Sequence, residues 1–160
     1  AGVLELCRAA LERDAAAAAI GGRVELVHRE PTAVPATFVV APCNHRMDCQ
    51  DVGAPIHAAA PRLDAATRAA HPMTVGCGTA ALGSAHLVEL PASDPMREHL
   101  GTRWVVHARV PSVNPAMPGP EGAFDALSIQ AKRLLSLAWE SALAQVGQKW
   151  SDSFPPELVD

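Results

Sequence analysis

Residues Ala36 to Ala41 run apolar without a break, with Phe38, Val39 and Val40 in succession, and Pro35 and Pro42 stand on either side. A strand that alternates apolar and polar residues can leave one face in water. A strand that is apolar on both faces cannot, and it needs layers packed above and below it. The run therefore predicts a central strand, parallel to a neighbour, in a sheet covered on both sides. Three further segments read as strands. Arg23–His28 alternates, with Val24, Leu26 and His28 facing one way; Ser84–Leu90 alternates too; and Arg103–Val110 carries Trp104, Val105, Val106, Ala108 and Val110. Helical stretches lie between and around them: Val3–Ile20, closed by Gly21 and Gly22; Ile56–Ala70, with Pro61 as its break point; and Leu127–Val146. In the last, Leu127, Ala131, Leu134, Leu135, Ala138, Ala142, Leu143 and Val146 fall on one stripe. Strands alternating with helices predict a three-layer α/β/α fold with a mixed, mostly parallel sheet. Pro42–Gly53 and Pro111–Gly122 read as loops. With no internal repeat and no long linker, residues 1–160 are expected to form a single domain: a helix over 1–22, a core over about 23–146 and a polar tail over 147–160.

Composition narrows the function. Hydrophobic residues make up 49% of the chain, enough for a core, but many are alanines, so the layers must pack closely to bury much area. Aromatics are 4% with no tyrosine, which argues against a base-stacking platform for single-stranded nucleic acid. A net charge of -4 without a basic run argues against electrostatic capture of nucleic acid or an acidic membrane. No apolar run approaches the roughly 20 residues that span a bilayer. Cys7, Cys43, Cys49 and Cys77 follow no secretory signal and are sparse, which points to a reducing, intracellular compartment. Glu5, Glu12 and Asp14 make the first helix a poor mitochondrial transit peptide. The sequence opens on Ala1 rather than on methionine, as a processed or excised piece would.

Several constellations could carry chemistry. Cys43, His45, Cys49 and His57 offer two thiols and two imidazoles, a donor set that suits tetrahedral zinc. Their spacing matches no established finger, and two small buried thiols beside two surface histidines is the competing reading. Cys43 or Cys77 could be a nucleophile beside His45, His57 or His107, although nothing in the sequence fixes that proximity. Asp48 and Asp51 form a carboxylate pair on a polar loop, where solvation is the simpler role. There is no G-x-S-x-G elbow and no Walker or dinucleotide glycine fingerprint. These residues assign no catalytic group and no cofactor.

Four short strings, in order, resemble the macro domain, the ADP-ribose-binding module. Val27-His28-Arg29-Glu30-Pro31-Thr32 resembles the family's V-Q-G-D-I-T, whose acid meets the adenine amino group; Glu30 falls at that place, and a carboxylate can accept from an exocyclic amine. Phe38-Val39-Val40-Ala41-Pro42-Cys43-Asn44 resembles A-I-V-N-A-A-N, and Asn44 matches the asparagine that contacts the distal ribose. Val52-Gly53-Ala54-Pro55-Ile56-His57-Ala58-Ala59-Ala60 resembles V-D-G-A-I-H-R-A-A at the start of a helix. Arg103–Pro111 resembles the strand K-Y-V-I-H-T-V-G-P, and its continuation into Asn114-Pro115 is similar to a subgroup that includes the macro domain of plant aprataxin-like proteins. At that strand His107 is expected to be structural.

The resemblance implies ligand contacts at Glu30, Asn44, Val52, Gly53 and Ile56. It also shows erosion. The glycine run that lets backbone amides approach a pyrophosphate is replaced by Asp48-Cys49-Gln50-Asp51, and the acid associated with hydrolysis in some members is replaced by Gly53. In the family a strand and a second phosphate loop follow the long helix, whereas this sequence reaches Asp160 where that strand would begin. Either the sheet is incomplete at its C-terminal end or the sequence is the first part of a longer domain. Two functions follow as expectations. One is a module that binds ADP-ribose, an ADP-ribosylated protein or a related nucleotide, with little or no catalysis; any residual activity would be ADP-ribosyl hydrolysis or phosphoester cleavage. The other is a degenerate macro-like domain serving as a structural or docking part of a larger protein assembly.

Overall fold

A computed structural model describes residues 29–44, 47, 53–71, 82–111 and 129–153. The chain divides into two compact units, Ala1–Glu30 and Pro31–Asp160. Of the first, only Arg29 and Glu30 are described, and both are exposed. The predicted helix Val3–Ile20 and strand Arg23–His28 lie outside the described residues, as does nearly all of the loop Pro111–Gly122.

The second unit opens with a single 3-10 turn, Pro31–Ala33, and continues through β1 (Phe38–Cys43), α1 (Ala54–Ala59), α2 (Leu63–Ala70), β2 (Ala85–Glu89), α3 (Pro95–Leu100), β3 (Trp104–Arg109) and α4 (Ile129–Ser153). The three strands lie in the order β1-β3-β2. β1 runs parallel to β3, from Phe38 opposite Trp104 to Cys43 opposite Arg109. β2 runs antiparallel, from Ala85 opposite Ala108 to Glu89 opposite Trp104. The sheet is therefore mixed. Among the described strands the middle place belongs to β3, all six of whose residues are buried, and β1 stands beside it with alternating burial.

The strand predicted to end at Ala41 in fact includes Pro42 and Cys43. Val110 donates to the Cys43 carbonyl at 3.0 Å, so that residue's polar groups face β3. Those of Pro42 point the other way, and its missing N–H costs the β1–β3 ladder nothing.

Side chains alternate across the sheet and build two cores. On one face Val39, Ala41, Val88, Leu90 and Val105 meet Ile56, Ala60 and Leu63 of the α1–α2 layer and Met96 of α3. On the other, Ala85, Val106 and Ala108 meet Ala138 and Ala142 of α4. This is the expected three-layer α/β/α order. The break at Pro61 holds, for α1 closes at Ala60 and α2 starts at Leu63.

α4 corrects two expectations. It runs on to Ser153, so residues 147–153 are helix rather than polar tail. Leu143, placed by the stripe on the buried side, is 63% exposed while Ala138 and Ala142 are fully buried. Small side chains let the helix lie close to the sheet, and close approach narrows the contact to the 138–142–146 line. Leu143, a further 100° round the helix from Ala142, falls outside it. The packing extends to the turn before β2, where Gly83 sits at φ +87 and a Cβ would come within 3.1 Å of the Leu137 Cβ.

α3 was not foreseen, because six residues are too few for a periodic pattern. Its local signals are nonetheless complete. Asp94 caps it by accepting from the Met96 amide at 2.9 Å, Pro95 occupies the first turn, and Gly101 closes it in the left-handed region at φ 71. The same carboxylate accepts from the Arg62 amide at 3.1 Å and so ties the start of α2 to the start of α3. Arg62 also reaches the Ser93 hydroxyl.

Candidate functional site

Parallel strands point their carboxyl ends the same way, and in open α/β sheets ligands bind in the crevice beyond those ends. Here that place is framed by Cys43 and Asn44 at the end of β1, Arg109 and Val110 at the end of β3, and Gly53 at the entry to α1. Asn44 is half-buried, and its carbonyl accepts from the Met47 amide at 3.0 Å. That turn holds Met47 buried at φ 62. Gly53 is buried and caps α1 through its backbone alone. Ile56 lies one turn in and is 1% exposed; its side chain belongs to the core with Val39 and Ala41, which leaves its backbone as the part a ligand could meet. Val52 lies outside the described residues. Glu30 is exposed at the end of the first unit. Asn44, Gly53 and Ile56 thus lie at or in consecutive elements of the second unit.

The metal and thiol constellations are only partly within view. Cys43 is buried, with its thiol 3.5 Å from the Ala108 carbonyl. His57 Nδ1 lies 2.7 Å from Asp64 Oδ1. His45, Cys49, Asp48, Asp51 and Cys77 lie outside the described residues. Among the described residues no group of three or more His, Cys, Asp or Glu side chains could hold a metal ion.

The face bearing Cys43 also carries a polar cluster that sequence reasoning did not assemble. Arg109 is fully buried at the last rung of β3, where burial pushes its pKa down while the Cys43 thiol pulls the other way. Two residues earlier, His107 is fully buried on the same face. Its Nε2 is 3.0 Å from Thr67 Oγ1, and Thr67 donates its one hydroxyl proton to the Leu63 carbonyl at 2.8 Å. The imidazole must therefore be the donor, with a proton on Nε2. Its pKa is lowered to about 3, chiefly by burial, with His57, His71 and His86 adding to the effect and Asp64 opposing it. The His57 ring stands 5.5 Å from that of His107, and the His71 ring 5.0 Å from that of His86, which pairs with His107 across the β2–β3 ladder. His71 Nε2 bonds the Leu87 carbonyl at 3.1 Å. Burial, followed by Arg109 and His71, lowers the His86 pKa as well. A charged residue two positions from a histidine in an apolar strand was the available signal, since residues i and i+2 share a face.

No protein-family model matches the sequence, and no curated protein is similar to it at a significant level. Solved structures are similar in fold. One is the Oryza sativa APL macrodomain in complex with ADP-ribose, at 22% identity, covering 71% of this chain and 53% of that one with a TM-score of 0.55. Another is an ADP-ribose binding macrodomain of Dictyostelium discoideum, at 16% identity, covering 67% of this chain and 48% of that one with a TM-score of 0.51. The chain has the macrodomain fold and spans about half the length of these structures.

Proposed function

We propose that this chain is a macrodomain-type module that binds ADP-ribose or a related nucleotide beyond the carboxyl ends of β1 and β3, with little or no catalysis of its own. The supporting observation is the fold likeness to two solved macrodomains, one in complex with ADP-ribose and the other described as ADP-ribose binding. Asn44, at the end of β1, has a side-chain amide that can both donate to and accept from a ribose hydroxyl. Val52, Gly53 and the backbone of Ile56 are offered for the phosphate side. With aspartates in place of a glycine run, the site should hold the nucleoside end better than the pyrophosphate. Gly53, standing where the resemblance puts an acid, removes a general base and is the reason to expect little turnover. Competition calorimetry tests this reading: adenosine should displace ADP-ribose at lower concentration than pyrophosphate does, and the reverse order would reject it.

A second reading, a docking part of a larger assembly, is favoured by one observation. One flank of α4 exposes Trp139, Leu143 and Trp150, which lie within a narrow sector of the helix, with the Trp150 ring also 6.3 Å from that of Phe38. Light scattering of the purified protein distinguishes the readings: a monomer that binds ADP-ribose supports the first, and a stable complex without nucleotide affinity supports the second.

A further inference from the structure

The α1–α2 layer is held on the sheet in two ways. Ile56, Ala60 and Leu63 pack into the apolar cluster with Val39, Ala41, Val88 and Val105. Toward the carboxyl ends of β1 and β3, the attachment passes to a cluster of histidines around the buried His107. His107 of β3 donates to Thr67 of α2, and His71, which caps α2, bonds the Leu87 carbonyl of β2. His57 of α1 faces His107, and His86 of β2 faces His71.

We propose that α1 and α2 form an acid-releasable layer, in which protonation of the buried His107 imidazole lifts the two helices from the sheet while α4 stays packed on the opposite face. Among the described residues, the titratable groups facing His107 are His57 from α1, Asp64 and His71 from α2 and its cap, and His86 from β2, with Arg109 two residues along β3 on the same face and Cys43 of β1 beside Arg109. A proton on His107 in the closed layer would place a second cation two residues from Arg109, under three further imidazoles. Asp64, its side chain 65% exposed, is the only carboxylate named among these groups and is already bonded to His57. Opening exposes His107 to water, where an imidazole takes its proton near pH 6.5. Acid therefore favours the open form. Among the described residues no histidine packs on the opposite face: α4 meets the sheet through alanines, through Ser141 and Gln145, which reach the Gly83 and Ala85 carbonyls, and through Lys149 over the Trp104 ring. Apolar burial of Ile56 and Leu63 opposes release, so the layer opens as a minor population rather than wholesale. Because α1 carries Gly53 and Ile56, nucleotide affinity in the reading above would fall over the same range, but the inference does not depend on that reading.

Amide hydrogen exchange, corrected for intrinsic rates, tests it on the whole chain without any ligand. From pH 7.5 to pH 5, exposure of His107 alone should raise the opening constant of residues 63–71 roughly thirtyfold, and at both pH values these residues should open more readily, and with a weaker denaturant dependence, than residues 138–146, which open only by global unfolding. His107→Gln keeps a donor and loses the titration, so its increase should shrink to a few-fold. The imidazole proton resonances of the unaltered protein give a second measure that needs no variant: His107 should remain neutral at pH 5 in the closed form. The same opening constant and denaturant dependence in 63–71 as in 138–146, no rise at all, or a His107 ring that titrates near pH 6.5 in the folded protein would each overturn the proposal.

Discussion

His107 donates from Nε2 to Thr67 Oγ1 across 3.0 Å and so ties the middle strand of the sheet to α2. The bond is defined because the threonine proton is committed to the Leu63 carbonyl. Thr67→Val keeps the shape and removes the acceptor, leaving a buried N–H without that partner. The expected cost is about 1–3 kcal/mol in chemical denaturation, and a variant as stable as the parent would contradict the assignment.

The same ring sets a pH dependence of global stability. Its folded pKa of about 3 lies below the 6.5 of the unfolded chain, so the unfolded chain takes up the proton first. The stabilisation is complete above about pH 6.5 and is lost as pH falls toward 3, by at most about 1.4 kcal/mol per pH unit for this group. His86 shifts the same way. Glu89 is held below its ordinary value, mainly by the Arg103 hydrogen bond, so its stabilisation is intact over this range and is lost only as pH falls below about 4.5. Denaturation midpoints at pH 7.5, 6.5 and 5.5 should therefore fall, and the loss between 6.5 and 5.5 should be smaller in His107→Gln.

Asp94 joins two helices through two backbone amides and is fully buried. Asp94→Ala should cost about 2 kcal/mol, more than a surface cap does, because the Arg62 amide loses its partner together with that of Met96. Asp94→Asn, which keeps one acceptor oxygen, should recover part of the loss.

Gly83 and Gly101 both have positive φ but differ in surroundings. At Gly101 an added Cβ meets nothing within 4 Å, so Gly101→Ala carries the left-handed penalty alone, about 1–2 kcal/mol. At Gly83 the Cβ would also press on Leu137 and the Leu134 carbonyl. Gly83→Ala should therefore lower the melting temperature further than Gly101→Ala, an order that paired thermal melts check directly.

The layer order was legible because the apolar runs at β1 and β3 leave no other way to cover a strand on both faces. The alternation over Ser84–Leu90 placed β2 within a residue at each end. Helix α3 escaped because capping chemistry, not periodicity, defines a helix of one and a half turns. Leu143 was misplaced because a stripe of apolar residues does not say how closely alanines will seat the helix. The place of Asn44 at a strand end and of Gly53 at a helix start could be read from the strings that carry them. The imidazole cluster could not, since His57, His71, His86 and His107 come from four separate segments that only the β2–β3 register and the α1–α2 packing bring together.

The central claim is that the carboxyl ends of β1 and β3 form a nucleotide site, and titration calorimetry with ADP-ribose on the whole chain tests it most directly. The account predicts saturable binding at one site, weakened about tenfold or more by Asn44→Ala, which removes roughly one hydrogen bond to a ribose hydroxyl. The absence of both heat and a melting shift at millimolar ADP-ribose would contradict it.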